Sequence, residues 1–404
     1  MSSSPLRLSD RAGALKPSST LAVTARVKAL QAAGVDVIGF GAGEPDFDTP
    51  AHIKQAAIEA LERGRTKYEP NPGTPEARAA VARYMNSRHG FDCKPENVII
   101  SVGGKHSLYL AFMALVNPGD EVLIPAPYWV TYPEQARLAG GVVKEIPTTV
   151  DSGFKITPEQ LEAALTPRSR VLVLNSPSNP TGTMYSPDDL QGLADVVMRH
   201  PNLVVFADDI YERLVYGTTP FTSFATLRDG LFERTVTFNC LSKSYAMTGW
   251  RIGFTVAPLP LIKAMDGLQG QMTSNITSFA MAAVPAALDG PQDAVETMRQ
   301  AFAQRGAHMH ARLSSMPGVK CVQPTGAFYV FPDISALFGR RDGRGNVLQT
   351  AGDLAASLLE EARVAVVPGE DFAAPGNVRL SFATSMERID EGLNRLEGWI
   401  TSLG

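Results

Sequence analysis

Cysteine is scarce in this chain. Only Cys93, Cys240 and Cys321 occur among 404 residues, widely spaced and with no CxxC or Cys/His metal pattern. That excludes a disulfide scaffold or zinc module and leads us to expect reduced thiols in a cytoplasmic protein. A basic excess is also missing. With 37 Lys+Arg against 41 Asp+Glu the net charge is −4, so no cationic field invites nucleic acid or anionic lipid as a partner. No apolar run approaches the ~20 residues of a membrane span. Residues 1–7 lack the apolar stretch of a signal peptide.

What is present is ordinary globular material, 44% hydrophobic and 19% charged, long enough for two or three domains. Short β-branched runs at 98–100, 122–124, 142–146, 171–174, 203–207, 235–238 and 253–256 read as strands. Several are apolar on successive residues, as strands covered on both faces must be. Between them lie amphipathic helices. One carries Leu108, Ala111, Phe112 and Leu115 on one face. Another starts at Ser186-Pro187 and buries Leu190, Leu193, Ala194 and Val197. This alternation predicts an α/β fold with a mostly parallel sheet. Beyond it the pattern changes to α+β: a helix over 296–316, strands at 319–322 and 327–331, a helix over 354–362, strands at 364–367 and 378–383, and a final helix from Met386.

The segment 240–253, Cys-Leu-Ser-Lys-Ser-Tyr-Ala-Met-Thr-Gly-Trp-Arg-Ile-Gly, follows the strand at 235–238. It sets Lys243 on a short turn, with Arg251 eight residues on. A lysine that attacks a carbonyl needs a rigid perch, and an arginine fork suits a phosphate. An aldehyde cofactor bearing a phosphate would use both. Other unusual residues also follow strands, where open α/β sheets bind ligands. Gly103-Gly104-Lys105 opens a helix, whose first amides bind anions. It completes no P-loop, and Gly39-Phe40-Gly41-Ala42-Gly43-Glu44 completes no dinucleotide fingerprint. Asn179-Pro180-Thr181-Gly182 follows one strand and Asp208-Asp209-Ile210-Tyr211 another. Arg379 sits inside an apolar strand, where a charge needs a partner.

Together these segments resemble class I aminotransferases, the fold-type-I pyridoxal-phosphate (PLP) enzymes, over nearly the whole chain. One position departs: Cys240 stands where the lysine signature usually has Gly or Ser. The resemblance implies a seven-stranded large domain over 48–295 and a small domain from 1–47 plus 296–404. It implies that Lys243 holds PLP and later moves the substrate's proton. Ser242, Arg251 and the turn Gly103-Gly104-Lys105 would bind the phosphate, and Trp129 would stack on the ring. Asn179 and Tyr211 would meet the phenolic oxygen. Asp208, preferred to Asp209, would meet the ring nitrogen. Arg379 would clamp the substrate α-carboxylate, helped by the Gly43 backbone, with Trp129 and Asn179 also facing the substrate. Tyr68, in Thr66-Lys67-Tyr68, would reach a neighbouring subunit's phosphate, which makes the expected unit a homodimer with shared sites.

The branch resembled is that of bacterial aspartate aminotransferases, some of which use prephenate. Lys16 matches a lysine of the prephenate-using members. The expected reaction moves an amino group between an L-amino acid, aspartate or glutamate, and a 2-oxo acid, ping-pong through pyridoxamine phosphate. The alternatives among enzymes are a PLP lyase or synthase, or an aminotransferase of aromatic or other specificity, on the same fold. A PLP-sensing regulator would need an added basic DNA-binding region, and none is expected before residue 16 or after residue 390. For the substrate's distal end, Lys16 and the stretch Thr273-Ser274-Asn275 are the candidates.

Overall fold

The computed structural model describes Leu6, residues 8–15 and residues 19–404. Lys16 lies outside the described residues. Twelve strands follow in chain order. They are β1 (Ile38–Gly39), β2 (Val98–Val102), β3 (Glu121–Ala126), β4 (Val142–Pro147), β5 (Ser169–Asn175) and β6 (Val204–Asp208). Then come β7 (Thr235–Cys240), β8 (Ile252–Val256), β9 (Tyr329–Val330), β10 (Val364–Ala365), β11 (Val367–Pro368) and β12 (Val378–Ser381).

Seven of these form one sheet in the order β2-β8-β7-β6-β5-β3-β4. All neighbours run parallel except β8, which is antiparallel to both β2 and β7. The apolar runs explain why. Along β5, Val171 and Val173 pack with Phe112 on one face of the sheet, while Leu172 and Leu174 pack with Leu190 and Leu193 on the other. Both faces are roofed by helices, so each of these four central positions is apolar. The helix Pro187–Arg199 begins as its sequence predicts. Ser186 accepts from the amide of Asp189, Asp189 returns the bond to Ser186, and Pro187 fills the first helical position.

A second core joins Ile38 and Phe40 to Phe302, Leu354, Leu380, Leu393 and Trp399. Its strands are short, in a three-stranded antiparallel sheet β11-β12-β9 and a parallel pair β1-β10. Here the sequence reading needs correction. The expected strand at 319–322 is a loop whose only ladder contact is the bridge Lys320–Asp333, and Pro324 and Gly326 follow it at once. The expected strand at 364–367 is two, β10 and β11, which belong to different sheets. The expected strand at 327–331 shrinks to β9, two residues long. The long helix runs Asp293–Ser314. Among the described residues no helix is long and apolar enough to cross a membrane.

Candidate active site

The carboxyl ends of β5, β6 and β7 lie side by side, with Asn175 opposite Asp208 and Asp208 opposite Phe238. Each strand hands over a chemical group as it ends: Asn179 just past β5, Asp208 at the tip of β6, and Lys243 in the short helix Leu241–Ser244 after β7. They open into a cavity of about 710 Å³. Gly43, Gly104, Lys105 and Trp129 line it, as do Tyr211, Ser242, Arg251 and Arg379. The sequence reading expected every one of these.

Two glycines make the closest approaches possible. Gly103 has φ +77°, and a Cβ there would lie 2.4 Å from the Arg251 guanidinium. Only glycine lets that arginine fold over the first turn of the helix Gly103–Leu115. No side chain caps that helix, and its first turn at Gly104 and Lys105 lines the cavity with Arg251. Gly182, with φ +70°, brings its turn so close to β9 that a Cβ would sit 2.1 Å from the Tyr329 carbonyl oxygen. That contact seats the Asn179 turn against the second core.

Asp208 is completely buried. Its Oδ2 accepts from the Tyr132 hydroxyl at 2.5 Å, while Oδ1 has no partner. Burial pushes this carboxyl up to about 6, against the Tyr132 hydrogen bond, a backbone amide and the Lys243 charge, which pull it down. Asp209, the competitor for its role, is turned away into the protein and accepts from Ser223 at 2.7 Å. Lys243 Nζ donates to the Gly43 carbonyl at 2.6 Å, tying its turn to the loop after β1. Tyr211 shares a hydrogen bond with Tyr329 at 3.2 Å, and burial keeps its phenol protonated.

Arg379 is buried at the centre of β12 and sandwiched between Tyr329 and Phe372. Its two terminal nitrogens donate to Asn179 Oδ1 at 2.9 Å and the Gly41 carbonyl at 3.1 Å, both neutral acceptors. No carboxylate forms an ion pair with it among the described residues. Lys105 is similar: its ammonium lies 5.0 Å from the centre of the Trp129 ring, without an ion-pair partner among the described residues. Burial, then the Arg251 and Lys243 charges, pull its pKa down. An acidic protein therefore keeps a cationic cavity, in which Lys105, Lys243, Arg251 and Arg379 outnumber Asp208 and Glu44. Such a cavity concentrates anions.

Some expectations lie elsewhere. Tyr68 does not line this cavity but projects from the loop after the helix Ala51–Glu62, 91% exposed. Residues 273–275 also stand outside it, where Asn275 accepts from the Glu69 amide and so fastens the Tyr68 loop. Two residues in the cavity were missed from sequence. Tyr132 lies one helical turn from Trp129, and an aromatic there has the ordinary appearance of core packing. Asn175 links the turns that follow β5 and β6: Nδ2 donates to the Asp208 carbonyl at 2.9 Å, and Oδ1 accepts from the Asn179 amide at 2.8 Å. Its place as the last residue of an apolar strand was the available signal.

Residues 35–396 match the family described as aminotransferase class I and II. The chain is 48% identical to the aspartate aminotransferase of Geobacillus stearothermophilus, covering 97% of this chain and 98% of that one. It is 47% identical to the aspartate/prephenate aminotransferase of Cereibacter sphaeroides, over 98% and 99%. The crystal structure of the Rhizobium meliloti aspartate aminotransferase superposes with a TM-score of 0.95 at 41% identity, over 99% and 100% of the two chains. That of Thermus thermophilus with maleate gives 0.91 at 42%, over 97% and 99%. With this ancestry and this cavity, the chain belongs to the class I and II aminotransferases, fold-type-I enzymes that transfer amino groups with pyridoxal phosphate.

Proposed function

We propose that this enzyme transfers the amino group of L-aspartate to a 2-oxo acid such as 2-oxoglutarate, in two half-reactions with ping-pong kinetics. One observation carries the reading. A primary amine, a buried carboxylate with one bare oxygen and a buried arginine without an anion face one cavity. The donor set fits PLP. The bare Asp208 Oδ1 suits a protonated ring nitrogen, and Trp129 offers a flat face. Asn179 and Tyr211 suit the phenolic oxygen. The open first turn at Gly103, Gly104 and Lys105, with Ser242 and Arg251, suits the phosphate. When bound, PLP supplies an electrophilic carbon for the amino group and an electron sink for the pair left at the substrate's α-carbon.

The chain's own residues do the rest. Lys243 would hold the aldehyde carbon, yield it to the substrate amine, and then take the proton from the α-carbon as general base. Its bond to the Gly43 carbonyl holds the free amine over the cavity, where the aldehyde would meet it. Arg379 would receive the α-carboxylate as a bidentate pair, already oriented by Asn179 and the Gly41 carbonyl. With Arg379 assigned to the α-carboxylate, we assign the Lys105 ammonium, held beside the Trp129 ring and without an ion pair among the described residues, to a distal one, in preference to Lys28 on the same cavity. The main-chain amide of Lys105 belongs to the phosphate turn and its side chain to the substrate. Dicarboxylates are therefore favoured, in keeping with the maleate in the Thermus thermophilus relative. The prephenate reading rests on Lys16 and on relatives named for that substrate, such as the aspartate/prephenate aminotransferase of Cereibacter sphaeroides.

A half-reaction screen of aspartate, glutamate, tyrosine and prephenate against the PLP-loaded enzyme tests the assignment. The yellow absorbance should bleach fastest with aspartate. Lys105→Ser should lower kcat/KM for aspartate roughly 10–100-fold, the worth of one charge-assisted hydrogen bond, and leave alanine nearly unchanged. Equal losses for both amino acids would remove Lys105 from the distal end.

We further propose a homodimer in which Tyr68 reaches the partner's phosphate site, with each chain divided into a large domain over 48–295 and a small one from both ends. The exposed phenol of Tyr68 on a loop held by Asn275 and Ser278 supports this. Sedimentation should give a two-chain mass, and Tyr68→Phe should weaken PLP binding about tenfold, one hydrogen bond to a charged group. A fully active single chain would contradict it. The three free thiols are in keeping with a cytoplasmic location.

A further inference from the structure

The assignment of Asp208 to the ring nitrogen leaves open what holds that carboxylate in the required orientation. We infer that Tyr132 is a positioning residue for this contact, its hydroxyl fixing Oδ2 of Asp208 so that Oδ1 alone is presented to the ring nitrogen. The inference rests on the proposed reading of the site and deepens it.

A carboxylate at the tip of a strand can turn about its last torsion, which is broad and weakly restrained. Its two oxygens offer about four acceptor positions. In a completely buried site, a carboxylate with no fixed donor would have no preferred face. Here the backbone and side chain are held separately. Asn175 donates to the Asp208 carbonyl at 2.9 Å and so fixes the end of β6. Tyr132 donates to Oδ2 at 2.5 Å and fixes the plane of the carboxylate. With that oxygen taken, Oδ1 is the one left bare and buried.

Tyr132 suits this task for three reasons. It is 2% exposed, so water does not compete for the bond. Burial, then the neighbouring Asp208 charge, holds its phenol well above the ordinary range, so it stays a donor. Its ring meets the Trp129 ring edge-on, 5.4 Å apart at 87°. The helix Thr131–Leu138 therefore carries the donor for the carboxylate on its first turn, just after the aromatic platform. One element thus sets both the face and the nitrogen contact of the cofactor ring.

Tyr132→Phe is the test, because it keeps the ring and its packing on Trp129 and removes only the hydroxyl. Affinities of the apoprotein are measured by absorbance titration for PLP and for an analogue with C–H in place of the ring nitrogen. The phenylalanine variant should bind PLP roughly 10–100-fold more weakly than the parent, the worth of one hydrogen bond to a buried charge. It should bind the analogue as the parent does. Tyr132→His, which restores an N–H donor, should recover part of the PLP affinity. Unchanged PLP affinity in Tyr132→Phe would overturn the inference, and so would an equal loss for PLP and the analogue, which marks a packing role. Asp208→Ala separates the two levels. If it binds PLP as the parent does, the reading of the site fails. If it loses affinity while Tyr132→Phe does not, only the positioning role fails.

Discussion

Lys243→Ala is expected to fold, to fill its cavity with PLP more weakly, and to turn over no amino acid at a measurable rate. The lysine lies in a four-residue helix packed beneath the carboxyl end of β7. Its backbone neighbours Leu241, Ser242 and Ser244 are buried whatever the side chain at 243 does. The bond lost on substitution is the one to the Gly43 carbonyl, so the fold loses little. The chemistry loses two functions at once. A positioned proton carrier alone is worth about 10²–10⁴ in rate, and the covalent hold on the aldehyde goes with it, so kcat should fall by more than about 10⁴-fold. No other described side chain can stand in. Lys105, another lysine lining the cavity, is drawn against the Trp129 ring. Stopped-flow absorbance with aspartate measures the effect, and thermal unfolding checks the fold. Turnover within tenfold of the parent would end the assignment.

Arg379 carries the second large effect. Its guanidinium is buried between two aromatic rings and its two terminal nitrogens already hold fixed neutral acceptors. A substrate carboxylate therefore enters a site whose orientation is set in advance. Removing one member of a buried charged pair costs about 3–5 kcal/mol, so Arg379→Ala should lose roughly 10²–10⁴-fold in kcat/KM. Arg379→Lys keeps the charge but loses the fork, and a loss of about 10–100-fold is expected. The signature is uniformity. Because the α-carboxylate is common to all amino acids, aspartate and alanine should suffer alike, in contrast to Lys105→Ser. A loss confined to aspartate would move Arg379 to the distal end.

The large sheet was legible because its strands are covered on both faces. Val171, Leu172, Val173 and Leu174 have no polar option, so the run stands out without any period. The second core was harder to read for the opposite reason. Strands of two residues, such as β9 and β10, carry no periodicity, and their pairing is decided by what packs on them. The run at 319–322 has the composition of a strand but Pro324 and Gly326 cut it off. In the site, Lys243, Asn179, Asp208 and Arg379 lie in distinctive motifs, and their expected roles are those the resemblance of these motifs implies. Tyr132 could not be read, because a tyrosine near a strand end has the same appearance whether it fills a core or aims a carboxylate. Only the 2.5 Å approach to Asp208 separates the two. The side chain of Lys105 was hidden too, since its turn was read for its amides.

The account depends on the amine at position 243 being the point where the protein grips its cofactor. Borohydride treatment of the PLP-loaded enzyme, followed by protease digestion and mass mapping, tests this directly. A single reduced pyridoxyl-phosphate adduct should appear on the peptide that contains Lys243, and pre-treatment with excess aspartate should prevent it. An unmodified Lys243 peptide, or an adduct at Lys105 instead, would contradict the account.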